Sequence, residues 1–148
     1  MEPTDRNAAV LVRLRGMLVR QREKFAAYLD VLEREEEAIR EGDADRLAAC
    51  VELEGSVIAD IYTLKKVIDP LEDLYQAAWP GREPAVTELK STLERMSAEV
   101  IDKNAANRAL LKKRMDEMRL EIASLRRWPR PPSSFAAADA PSLVDIMT

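Results

Sequence analysis

Asn104 and Asn107 are the polar side chains whose type and spacing say most about this chain. They stand in Asn104-Ala-Ala-Asn107-Arg-Ala-Leu110-Leu111, inside a run from Pro84 to Arg127 with no internal Gly or Pro. Three residues apart on a helix, the two carboxamides share a face. A carboxamide donates and accepts hydrogen bonds but does not titrate near neutral pH, so the chemistry on offer is recognition rather than proton transfer. Asn within an apolar seam can fix axial register where apolar residues alone would let helices slide. Whether the partner is this chain or another is left open by the spacing. An apolar stripe follows at once: Leu111, Met115, Met118, Ile122 and Leu125.

Reaction chemistry is hard to assemble from the rest. The 148 residues include no His, so the commonest general acid–base and metal ligand are missing. Ser and Thr have no His to activate them, and Glu33, Glu35, Glu36 and Glu37 read as solvated helix charges. The Gly residues are single, with no phosphate-cradling loop. Cys50 stands alone and reads as a small buried apolar residue. The expectation is a protein that is not an enzyme and carries no cofactor and no metal.

The elements that must position the Asn pair are long helices. Ala, Leu, Glu, Lys and Arg dominate, charged residues reach 34% and aromatics only 5%. A first helix is expected over about residues 5–41, capped by Thr4 or Asp5. Its seam runs Leu11, Leu14, Leu18, Gln21, Phe25, Tyr28, Leu32, Glu35, Ile39, with Gln21 and Glu35 expected where the bundle opens to water. Gly42-Asp43 ends that helix and caps the next, the signature of a tight αα-hairpin. The second helix, about 44–79, is expected to present Leu47, Val51, Val57, Ile58, Ile61, Leu64 and Ile68 on one broad face. Asp69-Pro70 either splits or kinks it, and the near-equal lengths of 4–41 and 44–79 favour one kinked helix.

Trp79-Pro80-Gly81 predicts a second turn, and Pro84 suits the first turn of a third helix over 84–127. That helix would extend about 65 Å at ~1.5 Å per residue, outrunning the other two. Its first seam (Val86, Leu89, Leu93, Met96, Val100) and its second (Leu111 onward) do not share a heptad phase, so the halves are expected to face different things. Pro129-Arg130-Pro131-Pro132 must end it. The fold class is therefore all-α: three long antiparallel helices in an elongated coiled-coil-like bundle. Residues 1–128 form the helical domain, and 129–148 a disordered tail ending in the apolar Ser142–Thr148.

Net charge is −4, which gives no global attraction to nucleic acid or anionic lipid. No apolar run approaches the ~20 residues that span a bilayer, and the N-terminus lacks a signal-peptide layout. Nucleic-acid binding and membrane insertion are not expected, and the location is expected to be cytoplasmic. Charge is uneven: from Lys103 to Arg130 there are nine basic and three acidic residues, and from Asp43 to Pro80 three basic and eight acidic. Either the second helix packs beside the basic end of the third, or an acidic partner docks there.

Glu37-Ala38-Ile39-x-x-Gly42-Asp43-x-x-x-Leu47, followed by Asn104-x-x-Asn107-x-x-Leu110-Leu111 in a long last helix, resembles the FlgN family of flagellar export chaperones over about residues 8–127. Glu52-Leu53-Glu54-Gly55 departs from the acidic–basic pair usual at that place. The resemblance implies binding of the C-terminal helical segments of hook–filament junction proteins, protection from aggregation, and delivery to the export gate. The expected partner-binding residues are Asn104, Asn107, Leu110, Leu111, Met115, Met118, Ile122 and Leu125. The alternative is a structural coiled-coil adaptor or self-assembling bundle, with a weak homodimer through Leu11, Leu18, Phe25 and Leu32. Ser142–Thr148 could instead dock to the export machinery or fold back on the stripe.

Overall fold

The computed structural model describes residues 3–79 and 83–127. Three helices follow one another: α1 (Pro3–Glu41), α2 (Ala44–Ala78) and α3 (Pro84–Arg127). The chain divides into two units, Met1–Lys112 and Lys113–Thr148. The first holds α1, α2 and most of α3. The second is described over 113–127, the last turns of α3. The expected tail, 129–148, lies outside the described residues, as do Pro80 and Gly81 of the expected second turn.

The hairpin between α1 and α2 is built by two residues. Gly42 adopts φ 69°, which a side chain would resist. Its N–H donates to the Ile39 carbonyl at 3.2 Å, and the Asp43 N–H to the Ala38 carbonyl at 2.9 Å. This Schellman pair satisfies carbonyls that the helix end leaves open. Asp43 then turns its carboxylate back, and Oδ1 accepts from the Arg46 N–H at 3.0 Å. At the other end of α1, the cap expected from Thr4 or Asp5 is displaced. The helix already runs from Pro3, so Asp5 lies within the first turn, where its charge favours the helix dipole.

α2 is one helix with Pro70 inside it, as the matched lengths predicted. Pro70 is exposed, so the carbonyl it leaves without an N–H partner can be met by solvent. The broad face expected for α2 needs one correction. Val51 is exposed, and Cys50, Val57, Ile68 and Tyr75 are the residues buried. Steps of seven join Cys50 to Val57 and Ile68 to Tyr75, and Val51 sits a hundred degrees round the helix from Cys50. Trp79 closes α2 by donating its N–H to the Tyr75 carbonyl at 2.8 Å, and its ring stacks on Tyr75 with centroids 5.8 Å apart.

Two apolar clusters hold the first unit together, each drawing on all three helices. One joins Leu14 and Leu18 of α1, Ile68 and Tyr75 of α2, and Val86 of α3. The other joins Tyr28 and Leu32, Val57, and Val100. The pairings fix an up-down-up order, with α1 and α3 parallel and α2 antiparallel to both. Full burial of Leu14, Leu18, Leu32 and Val86 contributes roughly 1.5–3 kcal/mol each. The expectation that Gln21 and Glu35 face water is overturned: they are 7% and 5% exposed. Both lie on the α1 seam, and in a three-helix bundle that seam is covered from two sides. Gln21 Nε2 answers its burial by donating to the Ile61 carbonyl at 3.3 Å.

Candidate partner-binding helix

The polar part of α3 forms a layer across the bundle. Asn107 is buried, and its Nδ2 donates to the Leu32 carbonyl of α1 at 2.9 Å. One turn earlier, half-buried Asn104 donates through Nδ2 to the Tyr28 hydroxyl at 2.9 Å. Tyr28 in turn donates to Glu54 Oε1 of α2, also at 2.9 Å. Three helices are thus joined through one phenol. The question the spacing left open has an answer within this chain: both carboxamides are engaged intramolecularly. Exposed ion pairs flank the layer, including Lys103 with Glu33 at 2.9 Å, and such pairs contribute little.

Glu35 lies in the same layer. Burial pushes its carboxyl up to about 7, and the hydrogen bond and negative charge of Glu54 add to this, while Asn107 pulls the other way. Its Oε1 has no hydrogen-bond partner among the described residues. Burial beside a neighbouring carboxylate favours the neutral form of Glu35. Burial likewise raises the Tyr28 phenol; the Asn104 bond opposes this, and Glu54 reinforces it. This layer was not visible in the sequence, because Tyr28, Glu54 and Asn104 come from three separate helices.

The apolar residues that follow are placed differently. Leu110 and Leu111 are half-buried. Met115, Met118, Ile122 and Leu125 are 44, 58, 49 and 73% exposed. Their spacing of three, four and three puts them along one stripe of the helix. Of residues 115–127, every one is exposed. The structure therefore separates the eight expected binding residues into an Asn pair bonded within the bundle, a half-buried Leu pair and an exposed stripe of four. No cluster of acidic, Cys or His side chains suited to a metal ion occurs among the described residues. No described helix is long and apolar enough to cross a membrane.

Apolar periodicity alone does not reveal the charges beside the stripe. Lys112, Arg119 and Arg126 recur at intervals of seven, each one position after Leu111, Met118 or Leu125. They form a cationic row along one side of the stripe, and all three are exposed. Step-of-seven counting applied to charges, not only to apolar residues, would have found them.

The comparison that decides the family covers most of the chain. The family described as FlgN protein matches residues 11–134. The chain belongs to the FlgN family. This membership supports a flagellum-related chaperone role for the helical chain. An uncharacterized protein of Treponema pallidum (strain Nichols) is 32% identical over 145 residues, covering 98% of this chain and 94% of that one. No solved structure matches the chain. Within the FlgN match fall both the Asn104–Asn107 layer and the whole of the exposed stripe.

Proposed function

We propose that this FlgN-family chain is a cytoplasmic export chaperone of the flagellar type III apparatus. The last turns of α3 bind the C-terminal helical segments of hook–filament junction proteins, keep them from premature aggregation and hand them to the export gate. The single observation that carries this reading is the exposed stripe of Met115, Met118, Ile122 and Leu125 on a chain of that family. Met is unbranched and adapts to irregular partner surfaces, which suits helical clients of varied sequence. Each of the four side chains, once covered by a client helix, contributes up to roughly 1.5–3 kcal/mol.

Asn104 and Asn107, engaged within the bundle, then hold α3 against α1 instead of touching the client. The adaptor alternative loses its main support, because Leu18 and Leu32, through which a homodimer would form, are buried within the bundle. The test is binding of a purified C-terminal segment of a hook–filament junction protein to the Met115→Asp/Met118→Asp double variant. Calorimetry is expected to show loss of binding, with circular dichroism unchanged. Unaltered affinity would place the client elsewhere.

A further inference from the structure

We infer that the client helix taken by this stripe carries acidic residues along its edge, and that the cationic row beside the stripe selects for them. The inference rests on the reading of the stripe as a client-binding face and adds the charge of its partner.

Met115 and Ile122 occupy one heptad core position, and Met118 and Leu125 the other. In a two-helix packing of this kind, the residues flanking the seam meet the flanks of the partner. On one flank stand Arg119 and Arg126, continuing the row that Lys112 begins. On the other stand Arg114 and Glu121, of opposite charge. One edge is therefore uniformly cationic and the other is mixed.

The ion pairs within this segment leave that edge largely available. Arg114 meets Glu117 at 3.6 Å, and Arg119 meets Asp116 at 3.7 Å, both long and exposed. Arg119 keeps 72% of its side chain open to solvent. No acidic group lies within 4 Å of the Arg126 or Lys112 head groups among the described residues.

A second copy of this chain fits the edge poorly. Antiparallel pairing sets Arg119 and Arg126 against each other's copies on the cationic edge; parallel pairing sets Arg114 against Arg119 and Glu121 against Arg126, one repulsive contact for each attractive one. An amphipathic helix with Glu or Asp on its flanks meets no like charge on the cationic edge. Nor does general charge attraction account for such a preference, since the chain carries −4 overall and repels an acidic peptide at long range.

Two synthetic helical peptides with the same apolar seam, one flanked by Glu and one by Lys, test this with the full chain. At low salt, calorimetry is expected to show the Glu-flanked peptide binding about ten-fold or more tighter, with the gap shrinking as salt rises. Arg119→Glu/Arg126→Glu is expected to remove or invert the preference without loss of helix content. Equal affinities, or a preference that survives the charge reversal, overturn the inference and leave helix docking standing. Failure of both peptides to bind overturns it together with the docking reading. A preference that persists in Met115→Asp/Met118→Asp moves the selective site elsewhere and also overturns it. If Val144→Asp/Ile146→Asp in the full chain raises the affinity for both peptides equally, the stripe's occupant is the chain's own terminus and the inference fails.

Discussion

Asn107 of α3 donates its side-chain N–H to the backbone carbonyl of Leu32 in α1, 75 positions away, across 2.9 Å of buried space. The bond reads a backbone group, so it specifies where along α1 the third helix must sit whatever side chains surround it. Asn107→Ala removes the donor and leaves a small void. It is expected to cost about 1–2 kcal/mol of stability, seen as a lower midpoint in urea with an unchanged slope. Asn107→Leu fills the volume without the hydrogen bond, so it is expected to recover part of the stability that Asn107→Ala loses.

Stability should fall as pH rises toward neutrality. Glu35 has its carboxyl raised from 4.5 to about 7 in the folded chain. A raised acid binds its proton more tightly when folded, so its favourable contribution is complete below 4.5 and is lost as pH climbs to about 7. The loss between pH 5 and pH 8 should be of the order of 1–3 kcal/mol. Thermal melts of Glu35→Gln are expected to show a flatter pH profile and a higher midpoint than the parent at pH 8. An unchanged profile would overturn the assignment of this pH dependence to Glu35.

Gly42→Ala forces a side chain into the left-handed conformation at φ 69°. About 1 kcal/mol of destabilisation is expected, measurable by chemical denaturation. Asp43→Ala, which removes the acceptor for the Arg46 N–H, should cost a similar ~1 kcal/mol. Because both sit in one turn, the double variant should depart from simple addition.

The stripe makes the opposite prediction. Met115 and Met118 are exposed, so Met115→Asp/Met118→Asp should change stability by no more than about 0.5 kcal/mol while client binding is lost. A large fall in the melting temperature would show that these residues support the bundle instead.

The parts legible in sequence were those written in neighbouring residues. Gly42 and Asp43 stop and start helices through their own backbone and side-chain needs, and Pro84 opens α3 for the same kind of reason. Leu14, Leu18 and Leu32 recur with the helical period and are buried as that period requires. Gln21 and Glu35 were misplaced because polarity was read as exposure, although a third helix supplies Asn107 beside Glu35 and closes over the seam. Tyr28 gave no local sign of its role, since its partners Glu54 and Asn104 lie 26 and 76 positions away. At the candidate site, the stripe was legible from spacing. Its exposure was not, because an apolar heptad looks the same whether or not another helix covers it.

The two bonds of the Tyr28 hydroxyl also differ in the chain entropy they cost. Closing the chain from Tyr28 to Glu54 spans 26 positions, and from Tyr28 to Asn104 spans 76. Of the two bonds, the one within the α1–α2 pair therefore costs less chain entropy, and the one to α3 more. One phenol thus joins a near partner and a distant one, and α3 is tied to α1 at this layer by the closure that chain entropy opposes more.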